Sequence, residues 1–207
     1  MIDQHPDTDR LKAKLKRCLS LAAAWQGTAY RFVTVPYANR HDLLSGAGSR
    51  KYGARWNPPN QFKVVYGSLA PQTAVAEALH TLNGFGVPVA SARPRVFAAV
   101  SFRLQSVLDL TSAQVTGVLA LDLEKVLLED WKTAQDAGRE AMSQAIGRIS
   151  WELKLEAMIV PSAVSSGERN IAVFPARRLR GSSWRIQGVR DLPKKDGPQE
   201  GTPDSSR

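Results

Sequence analysis

The chain has 207 residues, 43% hydrophobic and 23% charged, which excludes a disordered or fibrous protein and fits one domain with appendages. Lys and Arg number 28 against 19 Asp and Glu, a net charge of +9. The single cysteine, Cys18, excludes an internal disulfide framework and suits a reducing cytosol.

In chain order, Leu11, Leu15, Cys18, Leu19 and Ala22 recur at helical spacing with lysines and arginines opposite. A basic amphipathic helix docked on the body is expected there, with Cys18 as a packed thiol rather than a nucleophile. No run of about 18 apolar residues occurs. The start, M-I-D-Q-H-P-D-T-D, lacks the regions of a signal peptide, so a cytoplasmic protein without membrane contact is expected. Tyr30–Val35 reads as a strand, residues 36–62 as a long loop, and Lys63–Ser68 as a short buried strand. Pro71 starts a helix that N-G-F-G at 83–86 ends. Val96–Leu104 alternates as a strand and Val107–Leu110 suggests another. Residues 122–153 are helical in pattern, with a break expected near Gly147. Ala157–Pro161 and Ile171–Phe174 read as paired core strands. From Asp191 the composition turns polar, as in a disordered tail. The expected organisation is a basic helix over 1–28, one domain over 29–190 and a tail over 191–207. Its class is α+β.

Much of the positive excess lies at the ends: residues 10–17 carry five positive charges, and Arg177, Arg178, Arg180, Arg185, Arg190, Lys194 and Lys195 follow later. A rim around a site for an anionic substrate, a patch for an acidic partner and a nucleic-acid surface all fit this charge. Several motifs point nowhere. G-A-G-S at 46–49 matches neither phosphate-loop pattern and reads as a flexible loop. His5, His41 and His80 have no partners at ligand spacing, so no metal site is expected.

One constellation carries chemistry. Arg31, Arg55, Tyr66 and Glu77 come from a strand, a loop, a strand and a helix. Two guanidiniums suit a pyrophosphate, a phenol suits a flat ring, and a carboxylate suits a cationic centre. Those parts fit a dinucleotide. Each also has an ordinary account. Arg31 can be a solvated strand end, Arg55 can stack on Trp56, and Tyr66 can be core. Glu77 lies opposite the Val75–Leu79–Leu82 stripe, and Ser162 can cap a turn.

Y-R at 30–31, G-A-R-W-N-P-P at 53–59, V-V-Y at 64–66, A-E-A-L at 76–79, V-P-S-A at 160–163 and N-I-A-V-F-P at 170–175 together resemble the RES domain. Toxins of bacterial pairs with Xre-type antitoxins carry it, and the resemblance spans about 29–175. It implies a fold similar to diphtheria-toxin-like ADP-ribosyltransferases, with a split sheet around NAD⁺. It also implies NAD⁺ consumed as substrate, by hydrolysis or phosphorolysis of the nicotinamide–ribose bond, with no cofactor. Modification of a protein target is the alternative, and a nucleic-acid module a further one. Arg31, Glu77 and Ser162 take the name-giving positions, Arg55 and Tyr66 supporting ones. On this reading Arg31 and Arg55 hold the diphosphate, Tyr66 packs on nicotinamide, and Glu77 faces the ribose. Ser162 bonds a ribose or phosphate oxygen, and Trp56 and Asn57 line the pocket. Many transferases of that fold place Glu or Gln two residues before the catalytic Glu. Val75 stands there, which favours water or phosphate as acceptor over a protein. The implied partner is an Xre-type antitoxin, through which alone the chain meets DNA.

Overall fold

A computed structural model describes residues 2–84 and 93–193. Its longest pairing is antiparallel, between β1 (Ala23–Thr34) and β3 (Arg95–Asp109), with Arg31 opposite Ala98. β3 outruns β1 and pairs in parallel with β4 (Ala157–Pro161). β4 then pairs with β5 (Arg169–Val173), and β5 with β2 (Val65–Ser68), both antiparallel. β2 returns to β1 at one position, Tyr30 opposite Ser68. The five strands close a circuit, and β6 (Ser183–Ile186) lies on the free edge of β3.

Side-chain alternation sorts the core into two layers. Val65, Ala157, Ile159, Ile171 and Val173 point inward, against Ala29, Ala98, Val100 and Phe102 of the β1–β3 pair. Val64, Met158, Val160, Ala172 and Phe174 point outward, under the helices. Strands buried on both faces read as continuous apolar runs, which is why 157–161 and 171–174 are recognisable in sequence.

α1 (Thr8–Cys18) buries Leu11, Leu15 and Cys18 against α5 (Ala113–Leu119) and α8 (Met142–Glu152), the docking expected of the N-terminal helix. Burial pushes the Cys18 thiol up, with Arg17 opposing, so the group stays a poor nucleophile. A charged latch reinforces this contact. Arg148 on α8 meets Glu140 at 2.7 Å, with side chains 5% and 1% exposed. The same guanidinium reaches Glu152 at 2.8 Å and the Thr8 hydroxyl at 3.1 Å, and the His5 N–H donates to Glu140. Arg148→Met removes one partner and strands a buried carboxylate. It is expected to cost about 3–5 kcal/mol, measured by urea unfolding. A loss below 1 kcal/mol would remove the latch from the account.

The structure departs from the sequence reading at several places. Residues 36–62 hold two short helices, α2 (Arg40–Ser45) and α3 (Ala47–Tyr52), so the G-A-G-S segment is not a flexible loop. The Asn39 side chain caps α2 by accepting the Asp42 N–H at 3.0 Å, and Leu43 is buried. Gly46, at φ +64°, turns one helix into the next. β3 is one strand where two were expected. The Glu156 carboxylate accepts the N–H groups of Gln105 and Ser106 and carries the strand through its polar step. The expected helical region divides into α6 (Leu123–Leu128), α7 (Trp131–Asp136) and α8, with Gly147 inside α8 rather than at a break. α5 and β6 were not anticipated. α4 (Pro71–Gly84) matches the helix expected from Pro71. The stop motif beyond Gly84 and the tail from 194 lie outside the described residues.

Candidate active site

The return of β2 to β1 builds the site. Tyr30 faces Ser68, Ser68 faces Asn170, and Asn170 faces Val160, so one row crosses four strands. α4 starts three residues after Ser68 and packs across β1 and β2, which brings Glu77 over this row. The Ser162 hydroxyl donates to Glu77 Oε1 at 2.8 Å, and the Asn170 amide donates to the same oxygen at 2.6 Å. Two donors, one just past the end of β4 and one in β5, fix a carboxylate carried by a helix.

Ser162 has little freedom to do otherwise. Its oxygen accepts the N–H groups of Val164 and Ser165, each at 3.2 Å, and the residue is 7% exposed. A hydroxyl has one proton, and with its acceptor sites taken that proton goes to Glu77. The sequence reading gave Ser162 a bond to a ribose or phosphate oxygen. In the structure the Ser162 proton is instead directed at Glu77, the carboxylate it orients.

Arg55 and Tyr66 form the second half. Arg55 Nη1 donates to the carbonyls of Leu127 at 2.9 Å and Glu129 at 3.3 Å, which holds its guanidinium in place. Burial lowers its pKa, opposed first by Glu77 and then by Glu129, Asp130 and Tyr66. That cation therefore lies within electrostatic reach of both Glu77 and Tyr66. The Tyr66 hydroxyl donates to Asn57 Oδ1 at 2.8 Å and accepts the Trp56 N–H at 3.2 Å. Burial pushes this phenol well up, so it remains a neutral donor. Trp56 and Asn57 are 3% and 0% exposed. Asn57 also donates to the Ser49 carbonyl at 2.8 Å. The pocket-lining role expected of these two is corrected, for both are buried and brace the Arg55 loop and Tyr66 from behind.

Arg31 is turned to the inner face, the face of Ala29 and its neighbour Ala98. Its Nη1 donates to the Leu43 carbonyl on α2. Burial pushes its pKa down to about 10, with Asp42 opposing, so the guanidinium stays charged at neutral pH. Asn170 was missed among the site residues, although the sequence placed it at the end of a polar loop. Its spacing from Ala172 and Phe174 puts it on the outward face, but only the strand register brings it to Glu77. Among the described residues, no cluster of three His, Cys, Asp or Glu could hold a metal ion, and no helix is long and apolar enough to cross a membrane.

A helix-borne carboxylate pinned by Ser and Asn, within electrostatic reach of a fixed arginine, and a partly buried tyrosine define a small polar site on a closed mixed sheet. The RES domain profile matches residues 28–194, and the chain belongs to that family. It is similar to the NAD(+) phosphorylase MbcT of Mycobacterium tuberculosis and of Mycobacterium bovis, 29% identical to each over 151 residues. Those residues cover 69% of this chain and 71% of each relative. Among solved structures, the M. tuberculosis MbcT–MbcA toxin–antitoxin complex matches with a TM-score of 0.65 at 23% identity. It covers 86% of this chain and 88% of that one, a likeness of fold.

Proposed function

We propose that this chain is the toxin of a toxin–antitoxin pair and cleaves the nicotinamide–ribose bond of NAD⁺ with phosphate as acceptor. The observation that carries it is the Glu77 carboxylate held by Ser162 and Asn170, in a RES domain whose relative is named an NAD(+) phosphorylase. As the bond breaks, its electron pair leaves with neutral nicotinamide and positive charge grows on the ribose. A fixed carboxylate beneath that charge lowers the barrier. Nicotinamide leaves as a neutral molecule, so no general acid is required and a site without histidine suffices. A phosphate oxygen then bonds the anomeric carbon, giving ADP-ribose 1″-phosphate. Val75, two residues before Glu77, offers no hydrogen bond to an acceptor side chain, which supports phosphate or water over a protein target. We read the mixed sheet as an ADP-ribosyltransferase-like fold, with Arg31 and Arg55 on the diphosphate and Tyr66 packed on nicotinamide. NAD⁺ is substrate, with no cofactor, and an Xre-type antitoxin is the partner that silences the enzyme in the cytoplasm. The test is purified protein with NAD⁺, with and without phosphate. Nicotinamide and a phosphorylated ADP-ribose are expected only with phosphate. NAD⁺ left intact in both would overturn the reading.

Arg31→Ala and Arg55→Ala are each expected to weaken NAD⁺ binding by roughly 1.5–3 kcal/mol, the range of a charge-assisted phosphate contact. Titration calorimetry measures this, and thermal melts separate lost contact from the lost α2 anchor in Arg31→Ala. Parental affinity in both variants would take the diphosphate away from them.

A further inference from the structure

A groove of about 900 Å³ lies between α2 and the β6 edge, lined by neither Glu77 nor its partners. Its rim carries Arg40, Arg178, Arg185 and Arg190, all exposed, against one acid, Asp191. Its apolar lining, here called the floor, is Leu44, Trp184, Ile186 and the exposed Val189. Four cations around an apolar strip repel one another unless an anion lies among them.

One wall is a sheet edge. β6 pairs with β3 through Ser183, Trp184, Arg185 and Ile186, and the Gln187 N–H donates to the Ala99 carbonyl. In an antiparallel pair this alternates, so Arg185 and Ser183 also turn their backbone groups to β3. Trp184 and Ile186 turn theirs to the open edge, and both residues line the groove.

We propose that this groove receives an extended acidic segment of a protein partner, paired along β6. Its backbone would meet the outward groups of Trp184 and Ile186. Its alternate residues would lay apolar side chains on the floor and carboxylates against the arginines. Nucleic acid fits less well. Stacking bases need an open aromatic face, and Trp184 has Arg178 over its ring at 5.1 Å and Phe102 packed edge-on at 5.8 Å. This inference does not rest on the NAD⁺ reading, since none of its residues belongs to that site.

The probe is a short fluorescent peptide alternating Glu and Leu, titrated into the full chain by anisotropy. Binding is expected, weakened roughly tenfold or more by the double variant Arg185→Glu/Arg190→Glu and by higher salt. Both arginines are exposed, so the variant is expected to fold and to keep parental NAD⁺ cleavage. Hydrogen exchange on the complex is expected to protect the Trp184 and Ile186 amides, which a purely electrostatic contact leaves unchanged. Equal peptide affinity in parent and variant, or unchanged exchange at those amides, would overturn the proposal. A single-stranded oligonucleotide binding more tightly than the peptide and losing its affinity in the same variant would also overturn it.

Discussion

Glu77→Gln is expected to fold normally, bind NAD⁺ with near-parental affinity and lose turnover on the order of 10²–10³-fold. The hydrogen bonds decide why the change is clean. Ser162 and Asn170 both donate to Oε1, and a glutamine carbonyl oxygen can accept both bonds. The side chain therefore keeps its place while its negative charge disappears. Ground-state binding falls to groups other than Glu77, so Kd should move little while kcat drops. Single-turnover release of nicotinamide, with Kd measured separately, checks both halves. In cells the variant should leave NAD⁺ pools and growth intact where the parent depletes them. A folded variant cleaving NAD⁺ at near-parental rate would return Glu77 to the status of an ordinary helical carboxylate.

Legibility in the sequence followed the strength of local patterns. β4, β5 and α4 were readable because apolar runs and an N-terminal proline are strong local signals. α2 and α3 lie hidden in a Gly-, Asn- and Ser-rich stretch, since six-residue helices leave little local pattern: α2 depends on the Asn39 cap and the buried Leu43, and α3 buries no residue and has no side-chain cap. β3 seemed to divide at Gln105 and Ser106 because its continuity depends on Glu156, fifty residues away in sequence. No window of local sequence contains that interaction.

The site divides in the same manner. Arg31, Arg55, Tyr66, Glu77 and Ser162 were named from residue types and motif resemblance. Their division of labour depends on contacts between elements far apart in sequence. Ser162 reads in sequence as a ligand-binding hydroxyl, and only the fold shows that its oxygen takes two backbone N–H groups and its proton faces Glu77. Trp56 and Asn57 looked like lining because aromatic and amide side chains often line pockets, yet both are buried. Asn170 gains its role only from the register that sets β5 beside β2.

Gly147→Ala provides the second large effect, and two rules of opposite sign compete for it. Gly147 lies within α8, where alanine is better than glycine by about 1 kcal/mol in helix propensity. A Cβ at 147, however, would overlap the backbone carbonyl of Trp56. A clash with backbone cannot be relieved by a rotamer change, and overpacking of this kind costs roughly 1–3 kcal/mol or more. Overpacking should therefore win, and the protein should lose stability. The relief would come through displacement of the loop that carries Arg55 and gives Tyr66 its Trp56 N–H and Asn57 partners. Activity should then fall even below the melting temperature. Gly117→Ala is the control, since this glycine also lies in a helix and a Cβ there meets nothing within 4 Å. It should hold or raise Tm through propensity alone and leave turnover unchanged. If Gly147→Ala raised Tm as the control does, with full activity, the close approach of α8 to the Trp56 carbonyl would have no part in building the site.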